Sequence, residues 1–383
     1  MKKFFLPIII LLIFTLTAAS CTSAAESVVA ESTSQVSEAE TSHTESEGEQ
    51  ELSKSDVSSK ARLYFPADIT AQHSGIVLGE EFASLASGSD VGTFVSERLD
   101  AGAFTELCVF LSCTTNGGSV EILVSYEKSD GTMTAFYSFG TFSGDKGVSG
   151  SSSPSDSDAY VDIDTLIPRT TPAGSIVIKA VLRASSDGAS PVLRQLGFVS
   201  DANTARVVSD LPESAKITVP AKSQLNVPSI GNSICSPTSV SMVLESLGLP
   251  TDQAEFAYKA RDYGAKIFGN WLFNTAAAAD SHPSIYAYID FFDADALKYA
   301  LSQGVPVVCS IRTSSASELE GSSMAYPSGH LVCVTGYKTV GGVEYYAVND
   351  PAVSTADDVF HLYRCDQFEN AWRSVVYIIQ KYE

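Results

Sequence analysis

Hydrophobic and polar side chains alternate along residues 61–210 with a period of two, which is typical of half-buried β-strands. Two predicted strands each place four hydrophobic side chains on one face: Val120, Ile122, Val124 and Tyr126, and Ile176, Ile178, Ala180 and Leu182. Stretches rich in Gly, Asn and Ser separate such runs, as at 116–118, 129–131, 144–147 and 150–157. Many short strands joined by turns of this kind predict an antiparallel β-sandwich, the first of two domains.

This predicted sandwich carries no catalytic constellation, and its aromatic and cysteine residues are interpreted as structural. Phe136, Tyr137 and Phe139 could stack on a sugar ring or grip a peptide, but the favoured interpretation is that they fill the sandwich. Cys108 and Cys113 lie in one strand-like run with side chains on opposite faces, which disfavours a disulfide between them. Both are expected to be small, buried apolar residues.

The pattern changes at residue 211, after which helices come first and strands follow. Hydrophobic residues at helical spacing predict a helix from Pro237 to Leu247, and Gly248 ends it. Further predicted elements are helices at about 251–263 and 293–304 and strands at about 305–311, 330–337, 343–348 and 374–380. Helices followed by an antiparallel sheet predict an α+β domain over residues 211–383.

Cys235 stands at the start of the first of these helices. Pro237 suits the first helical position, so Ser236 is the expected N-cap and Cys235 lies just outside the first turn. Backbone N–H groups converge there, and the positive end of the helix dipole favours a thiolate. The candidate nucleophile is therefore Cys235, with a buried structural cysteine as the alternative. Cys309 and Cys333 lie inside apolar strand runs and are interpreted as core residues.

A thiolate needs a partner that takes and returns a proton, and His330 is the candidate. His330 opens a predicted strand directly after 327–329, and the next strand returns to end at Asn349 and Asp350. Both polar ends fall at the same end of one hairpin. Because successive side chains face opposite ways, only one of Asn349 and Asp350 can orient the imidazole. Asp350 is favoured, since a carboxylate also stabilises the imidazolium.

Acyl transfer also needs N–H donors for the oxyanion that develops on the substrate. The backbone N–H of Cys235 is one candidate. The side chain of Gln224, in the loop 221–228, could supply a second, although a Gln in a loop is by itself weak evidence.

Taken together, these positions resemble a known family, the papain-like cysteine peptidases related to the bacteriocin double-glycine leader peptidases. The matching positions are Gln224, the run 235–244 that begins Cys-Ser-Pro-Thr, the run 329–337 that begins Gly-His, and the run 348–351, Val-Asn-Asp-Pro. The resemblance covers about 211–383. It implies a papain-like fold in which Cys235 is the nucleophile, His330 the base, Asp350 the orienting acid and Gln224 an oxyanion-hole donor.

One residue departs from the family pattern, because Ser236 follows the nucleophile where Gly is usual. If Gly is needed there for close substrate approach or for a special backbone angle, activity is in doubt. Residues 269–280 resemble the non-transporter, surface-attached members, which places Asn270 and Trp271, with Ser236, as candidate cleft residues; core packing is the alternative for Trp271. No phosphate-cradling Gly-Lys-Ser/Thr motif occurs, so transport-coupled leader cleavage is disfavoured.

Charge and composition narrow the possible partners. The chain has 24 basic and 45 acidic residues, a formal net charge of −21. Such a surface repels phosphate backbones and anionic lipid headgroups, so nucleic-acid binding is not expected. The motifs Cys-x-x-Cys, His-Glu-x-x-His and Gly-x-Ser-x-Gly do not occur, and no metal or other cofactor is expected.

The N-terminal residues predict a secretory signal followed by a tether. Two lysines, the apolar run 4–16 and the small residues before Cys21 predict a secretory signal over 1–21, and the run is shorter than the roughly 20 residues of a spanning helix. Small residues directly before Cys21 resemble the bacterial lipoprotein cleavage box, which implies a lipid on Cys21; simple secretion is the alternative. Residues 22–60 are acidic and rich in Ser and Thr, and are predicted to be a disordered tether.

The leading hypothesis is a lipid-anchored cysteine peptidase on the extracellular face of the bacterial cell membrane, hydrolysing peptide or isopeptide bonds through an acyl-thioenzyme. A cell-wall amidase or transferase of the same chemistry is the first alternative. The second is a non-catalytic surface binding module in which the sandwich is the working part and the peptidase domain is inactive. The substrate and the oligomeric state stay open.

Overall fold

The computed structural model describes residues 59–203 and 210–382. The predicted signal with Cys21, and the tether as far as residue 58, lie outside the described residues. Among the described residues, every helix is too short or too polar to cross a membrane.

Two antiparallel sheets, one of seven strands and one of six, form the first domain. Its elements are β1 Arg62–Tyr64, α1 Pro66–Ile69, β2 Thr70–Ser74, β3 Ile76–Leu78, β4 Ala83–Leu85, β5 Val91–Ser96, β6 Leu99–Asp100, β7 Leu107–Thr114, β8 Ser119–Lys128, β9 Tyr137–Phe142, β10 Ala159–Asp162, β11 Thr165–Pro168, β12 Pro172–Arg183 and β13 Val192–Ser200. One sheet has the order β10-β11-β7-β13-β4-β3, with β1 beside β13. The other has the order β2-β5-β12-β8-β9, with β6 beside β12. The predicted antiparallel sandwich is confirmed.

The two predicted hydrophobic faces lie in the core of this sandwich. All eight side chains, four on β8 and four on β12, are buried, and these two strands pair with each other. Tyr137 and Phe139 are buried as expected, but Phe136 is 40% exposed and does not fill the sandwich. Cys108 and Cys113 are buried and free, as predicted.

Within its described residues, the second domain combines five α-helices with a seven-stranded antiparallel sheet. Its elements are β14 Ala215–Lys216, α2 Cys235–Ser246, α3 Gln253–Lys259, α4 Trp271–Asp280, β15 Ile285–Phe291, α5 Ala294–Ser302, β16 Val307–Ile311, β17 His330–Val340, β18 Val343–Asn349, β19 Phe360–Arg364, α6 Cys365–Ala371 and β20 Trp372–Lys381. The sheet order is β15-β20-β16-β17-β18-β19, with β14 beside β17. This confirms the predicted α+β class, although β14 precedes the helices and β15 lies between α4 and α5. The domain boundary at residue 210 stays a prediction.

Side-chain caps start three of these helices. Asp252 caps α3, Asn270 caps α4 and Asp293 caps α5, each accepting a backbone N–H of the first turn. Helix α3 is shorter than the predicted 251–263, because Asp262 leaves the helix to exchange backbone hydrogen bonds with Ile267 (2.9 and 3.1 Å). Helix α2 begins at Cys235 with Ile234 at the N-cap position, so the predicted cap at Ser236 is wrong.

The two domains share one hydrophobic core along a surface that we call the seam, formed by α4 and β15 of the second domain and by β7 and β13 of the sandwich. Two further sandwich residues that contact α4, Phe142 on β9 and Asp164 just before β11, are included in it. Ring contacts cross it between Phe110 and Tyr288 (centroids 5.7 Å apart) and between Phe142 and Phe273 (6.0 Å). Helix α4 is buried on every side from 272 to 279, so it has no polar face. A helix without a polar face gives no amphipathic pattern, which explains why the sequence did not reveal it.

The start of the described chain is also held by the second domain. The Asp290 carboxylate, fully buried on β15, accepts hydrogen bonds from the Ser59 hydroxyl (2.6 Å) and from the backbone N–H groups of Lys60 (3.1 Å) and Ala61 (3.0 Å). The last two residues of the predicted disordered tether, Ser59 and Lys60, are therefore ordered and tied to the sheet of the second domain.

Candidate active site

The Cys235 side chain lies at the N-terminal end of α2, where the first backbone N–H groups have no partner within the helix. Helix α2 packs against β17, and the Ser239 hydroxyl on α2 donates to the backbone carbonyl of Leu331 (3.0 Å). Among the six cysteines of the described residues, all are free and Cys235 alone is not buried. Helix packing therefore brings a partly exposed thiol to the strand that begins at His330.

His330 is the first residue of β17 and is 3% exposed. Its Nε2 forms a 2.7 Å hydrogen bond with Oδ1 of Asp350. The imidazole also lies beside the Cys235 thiol, close enough for each of the two side chains to shift the pKa of the other. Because Nε2 is held by Asp350, Nδ1 is the nitrogen left for the sulfur, and a proton exchanged with the thiol would pass through it.

Asp350 directly follows β18 and is fully buried. Besides His330, its Oδ1 accepts the backbone N–H of Ala352 (2.9 Å). The neighbouring Asn349 turns away and donates from Nδ2 to the backbone carbonyl of Val219 (3.2 Å). Between the two residues left open by the sequence, the structure places Asp350 against the imidazole.

Charge couples the three side chains. Burial would raise the pKa of Cys235, but the hydrogen bond and charge of His330 outweigh it and lower that pKa below its ordinary value of 9.0. Burial would lower the pKa of His330, yet the Asp350 carboxylate and the thiol raise it to about 10. Burial would raise the pKa of Asp350, and the His330 charge instead holds it well below its usual range. These three pKa shifts together favour a thiolate on Cys235 and an imidazolium on His330, with the Asp350 carboxylate beside the imidazolium.

Gln224 lies in a 3₁₀ turn, Gln224–Asn226, close to the Asp350 loop. Its backbone N–H donates to the carbonyl of Pro351 (2.9 Å), and its Nε2 donates to the carbonyl of Gly231 (2.7 Å). A side-chain amide has two N–H donors, so one remains after the bond to Gly231. The backbone N–H of Cys235 lies at the open end of α2. The predicted oxyanion role of these two donors stays a prediction.

Ser236 points into the protein and not toward a substrate. It is fully buried, and its hydroxyl lies 3.1 Å from the hydroxyl of Tyr377 on β20. Its backbone is helical and its φ is not positive, so glycine is not required there for conformation. The side chain therefore blocks neither the thiol nor a substrate, and the predicted place of Ser236 in the cleft is not what the structure shows.

The other two candidate cleft residues lie at the start of α4. Asn270 is fully buried: its Oδ1 accepts the Phe273 N–H (3.0 Å) and its Nδ2 donates to Asp262 (2.9 Å). This burial makes Asn270 a helix cap and removes it from any cleft wall. The backbone N–H of Trp271 donates to the Asp164 carboxylate of the sandwich, and its ring is part-buried against the core. The place of Trp271 on a cleft wall stays a prediction.

Two tyrosines at the site were missed by the sequence reasoning. Tyr326 and Tyr363 each donate a hydroxyl hydrogen bond to Oδ2 of Asp350, at 2.9 and 2.8 Å. Tyr326 is four residues before His330, so an aromatic residue near the candidate base was the available signal. Tyr363 lies on β19, a strand that the sequence did not predict, and no local signal pointed to it.

Unlike Cys235, Cys309 and Cys333 have no histidine beside them within the described part of the chain. Burial raises the pKa of Cys309 well above its ordinary value and that of Cys333 to about 12. Both lie inside strands, as expected for core residues. Within residues 59–203 and 210–382, no group of three or more His, Cys, Asp or Glu side chains could hold a metal ion.

Each of the two domains matches a known protein-family model. Residues 216–379 match the model of the Peptidase_C39 like family, and residues 66–201 match that of the Peptidase C39 N-terminal domain. The peptidase domain of Streptococcus ComA, a bi-functional ABC transporter involved in a quorum sensing pathway, is 13% identical, with a TM-score of 0.30 over 41% of this chain and 97% of its own. Digestive procathepsin L 3 of Tenebrio molitor is 15% identical (TM-score 0.31; 44% and 70% covered). Procathepsin B S9 of Trypanosoma congolense is 13% identical (TM-score 0.31; 46% and 79% covered). No curated protein matches the sequence.

Proposed function

We propose that this protein, a member of the Peptidase_C39 like family of cysteine peptidases that also carries a Peptidase C39 N-terminal domain, hydrolyses peptide or isopeptide bonds through an acyl-thioenzyme. The observation that carries the proposal is the contact chain from the Cys235 thiol through His330 to Asp350. A thiolate is the nucleophilic form of cysteine, and this chain supplies the cation that stabilises it.

In the first half of the reaction, the Cys235 thiolate attacks the carbonyl carbon of the scissile amide. The carbonyl oxygen becomes an oxyanion, for which the backbone N–H of Cys235 and the free N–H of Gln224 are the proposed donors. The imidazolium of His330 then gives its Nδ1 proton to the leaving nitrogen. The C–N bond breaks, the amine leaves, and the acyl group stays on sulfur as a thioester.

In the second half, neutral His330 takes a proton from water as the water oxygen attacks the thioester carbonyl. The C–S bond breaks, the carboxylic acid leaves, and the thiolate–imidazolium pair is restored. Asp350 does not change its protonation in either half, because its role is to hold the ring and to stabilise the positive charge. If an amine replaces water, the same steps become a transfer reaction.

The test combines labelling with hydrolysis. Iodoacetamide is expected to alkylate Cys235 in the full chain, with the site located by mass spectrometry. The Cys235→Ala variant is expected to lose both this labelling and hydrolysis. Cys365→Ala is the matched control, since burial raises the pKa of that thiol to about 12 and the variant should keep both properties. Full hydrolysis by Cys235→Ala ends the proposal.

A parallel assay tests the substrate class. Peptide libraries and peptidoglycan fragments are offered to the same wild-type protein and the same Cys235→Ala variant. Cleavage of peptides supports the leading proposal, whereas cleavage of peptidoglycan fragments alone supports a cell-wall amidase. The inward orientation of Ser236 removes the main sequence argument for a non-catalytic binding module.

We propose also that a lipid on Cys21 anchors the protein at the extracellular face of the bacterial cell membrane. The support is the sequence of residues 1–21 alone. Metabolic labelling with a fatty-acid analogue should mark the wild-type protein and not Cys21→Ser. A Cys21→Ser protein that still partitions with membranes contradicts the anchor.

A further inference from the structure

Tyr326 opens a tight turn that ends at the candidate base. The backbone N–H of Gly329 donates to the carbonyl of Tyr326 (3.1 Å), and Gly329 has φ +93°, in the left-handed region that glycine adopts without strain. The backbone N–H of Tyr326 donates to Oγ1 of Thr313 (2.9 Å). The turn is thus fixed at both ends, and it brings the side chains of Tyr326 and His330 together.

The two rings lie face to face. Their centroids are 3.9 Å apart and their planes meet at 16°. Tyr326 is 5% exposed and His330 is 3% exposed, so water has little access to either ring. An imidazole covered on one face by a rigid ring cannot tilt toward that side, and this restricts the direction in which Nδ1 points.

The same tyrosine also holds the carboxylate behind the ring. Oδ1 of Asp350 accepts bonds from His330 and from the N–H of Ala352, while Oδ2 accepts bonds from Tyr326 and Tyr363. A carboxylate offers about four lone-pair sites. The protein's own donors fill all of them, so Asp350 is fixed in orientation without a water molecule.

We propose that Tyr326 is a positioning residue for the hydrolysis proposed above: its ring fixes the plane of His330 and its hydroxyl fixes Asp350, so that Nδ1 stays aimed at the Cys235 thiol. The inference rests on the proposed function, because it concerns the same three side chains. Of the two tyrosines on Asp350, Tyr326 stacks on the imidazole, whereas Tyr363 stacks on His361 (centroids 5.2 Å apart).

The surroundings of the Tyr326 phenol keep it a donor. It faces the Asp350 carboxylate, the Tyr363 phenol and the hydroxyls of Ser322 and Ser323. Burial first, and then the Asp350 charge, raise the pKa of Tyr326. The phenol therefore keeps its proton across the pH range in which a cysteine peptidase works, and it supplies the same hydrogen bond throughout.

The experiment measures how fast iodoacetamide alkylates Cys235 in the full chain as pH is varied, which needs no knowledge of the substrate. Tyr326→Phe keeps the stacked ring and removes the hydroxyl; Tyr326→Leu removes both. Hydrogen bonds to charged groups are strong enough that Tyr326→Phe should slow alkylation near neutral pH about tenfold, with Tyr326→Leu slower still. In both variants the midpoint of the pH profile should move up toward 9, the ordinary pKa of a thiol.

The matched control is Tyr346→Phe. Tyr346 is a buried tyrosine of the same domain whose hydroxyl donates to Glu369 (2.9 Å), away from Asp350. Its loss removes the same kind of hydrogen bond, so it should lower stability without moving the alkylation midpoint. Circular dichroism verifies folding, and if Tyr326→Leu does not fold, Tyr326→Phe decides the question.

The outcomes separate this inference from the function on which it rests. A wild-type midpoint well below 9, together with a Tyr326→Phe midpoint that does not move, overturns the positioning role and leaves the peptidase proposal standing. A wild-type midpoint near 9 removes the thiolate–imidazolium pair, and both proposals fail. A midpoint that rises in Tyr326→Phe and not in Tyr346→Phe supports the inference.

Discussion

Buried carboxylates in two regions of this molecule have pKa values displaced in opposite directions. At the seam, burial raises the pKa of Asp164 to about 7 and that of Asp290 to about 6, since their partners are neutral hydroxyl and backbone N–H groups. In the candidate active site, burial acts on Asp350 in the same sense, but the His330 charge reverses the result and holds its pKa below the usual range. Neutral donors alone do not offset the loss of water around a buried charge, whereas an opposite charge does.

The cysteines repeat this contrast. Cys309 and Cys333 are buried without a base, and their thiols are harder to ionise than usual. Cys235 has His330 beside it and is easier to ionise. The neighbouring imidazole, and not the residue type, therefore decides how easily a cysteine of this domain ionises. Removing that imidazole is the strongest test of the contrast between Cys235 and the buried cysteines.

The largest effect is expected from His330→Ala. Without the imidazole, burial is the main influence on the Cys235 pKa, and the leaving amine has no proton donor. By comparison with catalytic groups that act as a unit, hydrolysis should fall by roughly 10⁴-fold or more. His282→Ala, in an exposed loop, is the control and should keep full activity. Retained hydrolysis in His330→Ala would remove the histidine from the mechanism.

The second-largest effect is expected from Asp350→Asn. The amide keeps the shape but loses the charge that raises the His330 pKa, so hydrolysis should fall by roughly 10²- to 10⁴-fold. Asp290→Asn makes the same chemical change at the seam and should leave kcat/KM unaltered. An equal loss of activity in both variants, in assays corrected for the folded fraction, would contradict the difference between the active-site and seam carboxylates.

The pH profile of hydrolysis should be bell-shaped. The thiolate forms above the lowered Cys235 pKa, so the acidic limb lies below 9. The imidazolium is lost as pH rises through about 10, which sets the alkaline limb. Beyond each limb the rate should change about tenfold per pH unit. A profile that rises only through 8.5 to 9 and stays flat above it contradicts an ion pair.

The seam carboxylates should make the fold less stable as pH rises. Asp164 has a folded pKa raised from 3.8 to about 7, so the folded state binds its proton more tightly than the unfolded state does. Its contribution to the free energy of unfolding is greatest below pH 3.8 and decreases until about pH 7. Urea unfolding of wild type and Asp164→Asn across this window should show a difference that grows with pH. A difference independent of pH refutes the shift.

The smallest effect is expected at Ser236. Ser236→Ala removes one buried hydrogen bond with Tyr377 and keeps the backbone N–H next to the thiol, so it should cost about 1 kcal/mol of stability. Hydrolysis by the folded protein should stay within about threefold of wild type, because the hydroxyl that is removed faces Tyr377 while the backbone N–H beside the thiol is kept. A loss of hundredfold or more would show that the hydroxyl acts on the thiol after all.

Several features were determined by the sequence alone. Alternating faces such as Val120 to Tyr126 specified half-buried strands, because a strand exposes successive side chains to opposite sides. Pro237, the apolar stripe after it and Gly248 specified a helix near Cys235, which the structure has at Cys235–Ser246. The sequence also predicted His330 at the start of a strand and a polar pair at the end of the next one.

Tertiary structure decided the rest, since burial and opposing charge depend on what packs from elsewhere in the chain. It selected Asp350 over Asn349, which local alternation could not do. It turned Ser236 and Asn270 inward, and it brought Tyr326 and Tyr363 from separate segments to one carboxylate. It also decided the ionisation of each buried acid, because the sign of a pKa shift follows from the neighbours that folding provides.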